Sequence, residues 1–272
     1  MPELPEVEMV VRGLRPDMLG RTFTGAEVHW PKEIAGHSPQ VFAARLAGQR
    51  VEALDRRGKY IAFRLTSDYL LVHLKMTGRL YVARPGETVG GDDRWVRVTL
   101  PMDDGRELRF SDARKFGRMF LTEQLETVTG ALGPEPLAED FSLEAFQDRI
   151  ARRAGLIKPL LLNQTFIAGV GNIYADEALW RAQIDPRRKA STLKPEEVAT
   201  LYAAIQAALR DGITYEGASI NWYRKPDGST GDSQNHFNVY DREDEPCPRC
   251  GTPVRKIWLA QRGTHFCPQC QY

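Results

Sequence analysis

The four cysteines constrain this chain more than any other feature. Cys247-x2-Cys250 and Cys267-x2-Cys270 form two knuckles separated by sixteen residues, and they use every cysteine present. Each knuckle offers two thiolates from a tight turn, and two knuckles at this spacing suit one tetrahedral zinc ion. Four protein ligands leave no open coordination position, so such a metal is structural rather than catalytic. A pair of disulfides is the alternative use of these residues, disfavoured in a cytosolic setting. Between the knuckles, Val254 to His265 reads as a β-hairpin with Arg262 near its turn. A metal-stiffened hairpin carrying an exposed arginine suits contact with a nucleic-acid backbone, yet it specifies no activity.

A chain of 272 residues has room for two ordinary domains, each with its own core. No apolar run approaches the roughly 20 residues that span a bilayer, and the acidic start Met-Pro-Glu-Leu-Pro-Glu is unlike a signal peptide. A cytoplasmic protein is expected. Net charge is only +1, but the charges are segregated. Arg50 to Arg84 holds eight Lys/Arg against three Asp/Glu, whereas Phe120 to Asp148 holds seven acids and no base. Cys247 to Tyr272 holds four bases and no acid. Such segregation can build a positive face on a nearly neutral protein, although scattered solvated patches would look the same in sequence.

Hydrophobic periodicity divides the chain. After a helix expected over about Pro5 to Leu14, short alternating runs read as strands: Arg50–Leu54, Tyr60–Leu65, Tyr69–Leu74, Trp95–Leu100 and Glu107–Phe110. Asp104-Gly105 is a hairpin signal between the last two. Close spacing of such strands predicts a β-sandwich or barrel. Residues 127–140, with two Gly and two Pro, read as a linker. Beyond them the period becomes helical. Ser142 caps a helix bearing Leu143, Phe146 and Ile150, and Pro195 opens another running to Arg210, before Gly212. Two short helices, Lys158–Gln164 and Ile173–Ala182, flank a glycine-containing turn.

The amino terminus carries Pro2-Glu3-Leu4-Pro5-Glu6-Val7-Glu8. Removal of Met1 would leave Pro2 as a secondary amine whose reference pKa, near 8, lies about two units below that of lysine. A helix N-terminus would depress it further. Amines attack carbonyl-like carbons, and a secondary amine yields an iminium that remains an electron sink. Glu3 and Glu6 supply carboxylates for proton transfer. Taken by itself, the segment reads more readily as an ordinary helix start, where Pro and Glu are common, than as a reactive terminus.

Four separated motifs change that weighing. They are Pro2 to Glu8; Arg57-Gly-Lys-Tyr60 with His73-Leu-Lys-Met-Thr-Gly78; Ala168-Gly-Val-Gly-Asn-Ile-Tyr-Ala-Asp-Glu177; and the cysteine hairpin with Gln261-Arg-Gly-Thr264. Together and in this order, the chain resembles the formamidopyrimidine-DNA glycosylases of the Fpg/Nei family, with Leu4 pointing to the Fpg branch. The resemblance implies an α+β fold of two domains. The first is an N-terminal β-sandwich with an N-terminal helix (1–126). After the linker comes a helical helix–two-turn–helix domain (141–240), and then a zinc-finger hairpin (241–272).

It further implies that Pro2 attacks C1′ of a damaged nucleoside, that Glu3 is the general acid/base, and that β- and δ-elimination then cut the strand. Lys59 and Arg262 would act at the catalytic centre while contacting phosphate, joined in DNA binding by His73 and Asn172. Met76, Arg114 and Phe116 match the residues that fill the space left by an extruded nucleotide. Here the chain departs from the family, since Asp112-Ala-Arg-Lys-Phe-Gly117 stands where Asp-Pro-Arg-Arg-Phe-Gly is usual. Glu6, Ser219, Ile220 and Tyr223 are the candidate lesion-recognition residues, the last three on a polar loop at about 217–237 expected to be mobile. The implied partner is double-stranded DNA containing oxidised purines or abasic sites, with one structural Zn2+ and a monomeric enzyme. An oxidised-pyrimidine specialist, a zinc-ribbon DNA-binding protein without catalysis, and a zinc hydrolase are the competing readings.

Overall fold

The computed structural model describes residues 1–272 apart from 90 and 92. The chain forms two compact units, one made of residues 1–131 and 216–232, the other of 132–215 and 233–272.

The first unit begins with α1 (Leu4–Met18), four residues longer at its C-terminal end than its periodicity predicts. Leu4, Val7, Val10, Val11, Leu14 and Met18 recur at helical spacing and are all buried. Short elements follow: β1 (Glu27–Val28), a 3-10 turn at Pro31–Glu33, β2 (Ile34–Ala35) and α2 (Pro39–Leu46), capped by Ser38. Then come β3 (Val51–Arg57), β4 (Tyr60–Leu65), β5 (Tyr69–His73), β6 (Gly78–Ala83), β7 (Val96–Pro101), β8 (Glu107–Asp112) and β9 (Arg118–Thr122).

These strands make two sheets, ordered β1-β7-β8-β6 and β2-β9-β5-β4-β3. Pairing is antiparallel except between β2 and β9, where Ile34 faces Met119 and Ala35 faces Phe120. Phe23, Phe42, Phe63, Leu80, Leu100 and Phe110 lie in the shared core, consistent with the expected β-sandwich. The segment read as a linker begins with one helical turn, α3 (Glu126–Thr129).

The second unit is helical: α4 (Leu143–Ala151), α5 (Ile157–Leu162), α6 (Asn172–Arg181) and α7 (Pro195–Thr214). Ser142 caps α4 as expected, accepting from the Ala145 N–H at 3.2 Å. Helix α7 runs through Gly212, where the sequence suggested a stop. A Cβ on Gly212 would lie 2.4 Å from the Tyr174 ring, so the glycine admits close packing of α6 on α7 rather than ending the helix. The unit closes with the hairpin β10 (Arg255–Leu259) and β11 (Arg262–Phe266). Among the described residues, no helix is long and apolar enough to cross a membrane.

Candidate functional site

In the first unit, Pro2, Glu3 and Glu6 are all buried at the start of α1, while Met1 is exposed. The Glu6 carboxylate joins two segments. One oxygen accepts from the Glu3 N–H at 2.8 Å, and the other accepts from the Ala218 N–H at 2.8 Å. Glu6 therefore fixes the helix start and pins the returning segment 216–232 to it. Gly217 permits this with φ 82°, and a Cβ there would meet Glu6 Cγ at 3.1 Å. Further along, Ser219 Oγ accepts from the Gly231 N–H at 2.9 Å. Tyr223 is buried within the hydrophobic core, its hydroxyl donating to the Glu216 carbonyl at 3.2 Å. Ile220 is half-buried.

Lys59 occupies the two-residue turn between β3 and β4, where Gly58 takes φ 58° as a tight hairpin requires. It is buried, as is His73 at the end of β5. The His73 ring meets Tyr60 edge-on at 4.8 Å, and its Nδ1 accepts from the Lys75 N–H at 3.0 Å. That bond leaves the neutral ring's proton on Nε2. Burial, then the positive charges of Lys75 and Lys59, push the His73 pKa down to about 3.

Beyond His73, Met76 is 40% exposed, and across the fold Phe116 is 48% exposed with the Arg114 guanidinium 4.9 Å over its ring. Asp112 organises this neighbourhood. Fully buried, it accepts from the N–H groups of Arg114 (3.1 Å), Phe116 (2.8 Å) and Gly117 (2.7 Å), and from the Thr77 hydroxyl. These bonds define the 112–117 loop although Ala113 replaces the family's usual proline. Gly117 is obligatory, because a Cβ would sit 2.3 Å from the Phe110 ring. Lys115 takes φ 60° and lies 3.9 Å over the Trp30 ring. A separate cavity of about 650 Å³, lined by His37, Arg45, Phe120 and Glu123 among others, contains none of the predicted site residues.

In the second unit, Asn172 is the first residue of α6, and the turn before it is braced by Gln164. The Gln164 amide donates to the Val170 carbonyl at 2.8 Å and accepts from the Gly169 N–H at 3.0 Å. Asn172 Nδ2 donates to the Gly263 carbonyl at 2.9 Å, joining α6 to the hairpin. Arg262 is exposed directly after the turn residues Ala260 and Gln261, both left-handed at φ 45° and 62°.

Sequence reasoning missed what anchors this hairpin. Lys158, at 0% exposure, pairs with Asp176 Oδ1 at 2.7 Å and donates to Thr264 Oγ1 (2.7 Å) and the Gly263 carbonyl (2.9 Å). Asp176 Oδ2 accepts from the His265 N–H at 2.9 Å. Glu177 accepts from the N–H groups of Asn238, Val239 and Tyr240. Both acids lie inside the Asn172 to Glu177 motif, and a pair of acids midway along a short apolar helix was the available signal.

The four cysteine sulfurs all lie within 4.8 Å of one another, with Cys250–Cys267 at 3.6 Å and Cys247–Cys270 at 4.0 Å. A zinc ion with Zn–S bonds of about 2.3 Å sets tetrahedral thiolates roughly 3.8 Å apart, so the donor set fits. Disulfide sulfurs would be about 2.05 Å apart, and all four thiols are free, which removes the disulfide alternative. Trp180 Nε1–H donates to Cys247 Sγ at 3.4 Å, a typical outer partner for a metal-bound thiolate.

Residues 1–119 match the model of the formamidopyrimidine-DNA glycosylase N-terminal domain, residues 132–224 that of its H2TH domain, and residues 244–271 that of the zinc finger found in FPG and IleRS. A formamidopyrimidine-DNA glycosylase of Herpetosiphon aurantiacus is 46% identical across the whole of both chains. That of Enterococcus faecalis is 44% identical over all of this chain and 97% of its own. The Lactococcus lactis Fpg, solved with DNA containing an abasic site, superposes with a TM-score of 0.90 at 34% identity, covering 99% of each chain. MutM bound to DNA containing carbocyclic 8-oxo-G gives a TM-score of 0.90 at 35% identity, with the same coverage.

A β-sandwich headed by a buried helix start, a two-helix turn module and a four-cysteine hairpin are together the parts of a zinc-finger DNA glycosylase of base excision repair. The chain belongs to the formamidopyrimidine-DNA glycosylase family.

Proposed function

We propose that the protein removes oxidised purines, 8-oxoguanine and formamidopyrimidines, from duplex DNA and then cuts the abasic strand. With Met1 removed, the Pro2 nitrogen attacks C1′, and the base departs with the glycosidic electron pair. Glu3 protonates the sugar oxygen, so the ring opens and the nitrogen becomes an iminium. Loss of a C2′ proton then expels the 3′ phosphate, and a second elimination expels the 5′ phosphate. Lys59, His73 and Asn172 would hold phosphates, with Arg262 on the zinc hairpin. His73 is suited to donate from Nε2 as a neutral ring. Met76 and Phe116 would enter the stack where the nucleotide leaves, and Arg114 would address the orphaned base's edge. Glu6, Ser219, Ile220 and Tyr223 would shape the lesion pocket, with Tyr223 acting from within the core rather than touching the base. The zinc ion, when bound, stiffens the hairpin and takes no part in bond breaking. A monomeric, cytoplasmic enzyme acting at the nucleoid completes this reading.

The observation that carries it is the buried Pro2-Glu3 start, latched by Glu6 in a capping box, at the head of a chain of the formamidopyrimidine-DNA glycosylase family. Borohydride reduction in the presence of abasic-site duplex is expected to trap a covalent adduct. Intact mass should show Met1 absent, and protein that retains Met1 should form no adduct. Absence of an adduct with the processed enzyme would sink the mechanism.

A further inference from the structure

Glu33 is buried at 0% exposure, and neither of its carboxylate oxygens has a hydrogen-bond partner. It ends the 3-10 turn at Pro31–Glu33, its own N–H bound to the Trp30 carbonyl at 3.1 Å. Because Ile34 pairs in parallel with Met119, Glu33 comes alongside Arg118, the residue that follows the 112–117 loop. The turn and the loop are stitched together on both sides. His29 and Trp30 N–H groups donate to the Arg97 carbonyl at 2.8 and 3.2 Å, and Arg97 Nε donates to the Asp112 carbonyl at 3.0 Å. Lys115 reaches back over Trp30, and Arg118 donates to the carbonyls of Phe116 (3.3 Å) and Gly117 (2.6 Å).

We propose that Glu33 is a positioning residue for the 112–117 loop: as an uncharged acid it leaves to Asp112 the negative charge against which the loop's N–H groups close. The proposal rests on the reading of that loop as the part that addresses the orphaned base. An unpartnered carboxylate in a buried site costs far more than a neutral carboxyl. Burial first, and then repulsion from Asp112 on β8, raise the Glu33 pKa to about 8, against the pull of Arg97 on β7, Arg118 on β9 and Lys115 on the loop. Those three cations are already engaged, with the Asp112 carbonyl, the loop carbonyls and Trp30. Ionised Glu33 would compete for them and repel Asp112, so the loop would lose the restraints that set Arg114 and Phe116.

The test uses full-length, zinc-loaded enzyme. Backbone amide resonances of Phe116 and Gly117 are followed by NMR from about pH 6.5 to about 9.5. In the native protein both should titrate with a midpoint near 8, and in Glu33→Gln that titration should vanish. Glu33→Met, equally uncharged, serves if Glu33→Gln does not fold. In parallel, affinity for a duplex containing a tetrahydrofuran abasic analogue is measured across the same range. The native enzyme should lose about fivefold more than Glu33→Gln, the lower end of what one base contact is worth. Every other group is the same in both proteins, so their difference isolates Glu33. Amides whose titration survives in Glu33→Gln would overturn the proposal, as would identical binding profiles. Arg114→Ala separates the two readings. If it binds as tightly as native enzyme, the loop's role in DNA recognition fails, and the amide titration still decides the coupling of Glu33.

Discussion

Beside Lys59 and Lys75 and only 8% exposed, His73 meets the same demand as Glu33, in a base rather than an acid: it must not gain a charge. Its folded pKa lies near 3, below the ordinary 6.5. Stability from keeping it neutral is therefore fully present above about pH 6.5 and is lost as pH falls toward 3. His73→Gln removes the titration. Its unfolding free energy from urea titration should gain on the native protein's as pH drops below 6.5, by up to about 1.4 kcal/mol per pH unit. Parallel acid profiles for the two proteins would show that His73 titrates normally. Lys158 represents a third case, an ion buried with full compensation, since a carboxylate, a hydroxyl and a carbonyl surround its ammonium. The sequence made His73 and Lys59 legible through their motifs. Lys158 and Glu33 were not legible, because burial of such residues is decided by contacts distant in sequence: Thr264 and Asp176 bind Lys158, and Glu33 is buried where β2 pairs with β9.

At the level of elements, the hairpin turn of the zinc finger is strained directly before Arg262, the residue proposed to contact phosphate. Ala260 and Gln261 both take left-handed backbone angles, although a two-residue turn of this kind favours Asn-Gly. Replacing the pair, Ala260→Asn with Gln261→Gly, should stabilise the hairpin by about 1 kcal/mol, read as slower amide exchange at Leu259 and Arg262. Unchanged exchange would mean the turn is already relaxed. Helix α6 does more than its motif suggests, since its first residue and its two acids all reach outward to the hairpin or to the stretch at Asn238–Tyr240. The longer strands and α1 were readable because alternation or helical spacing ran far enough to declare a period. The two-residue strands β1 and β2 carry no such signal, and Gly212 misled because close packing and helix termination make the same demand for a missing side chain.

For the molecule as a whole, a net charge of +1 means that DNA affinity cannot come from bulk attraction and must come from placed cations. Binding should weaken linearly on a log scale with salt, and Arg262→Ala should make that slope shallower by about 1. An unchanged slope would remove Arg262 from the phosphate contacts. The segregated basic runs were visible in sequence, but which of their members project was not. Arg56, for instance, is taken up by an ion pair with Glu8.

The segment 216–232 belongs to the first unit although the second unit's helices precede it in the chain. On the ribosome, the sandwich therefore emerges incomplete, with a vacancy where Tyr223 belongs and one Glu6 oxygen lacking the Ala218 N–H. The start of α1 is made well before residues 216–232, yet its setting is finished only when that later stretch arrives. Vectorial synthesis thus delays assembly of the surroundings of Glu6 until the helices of the second unit have already been translated.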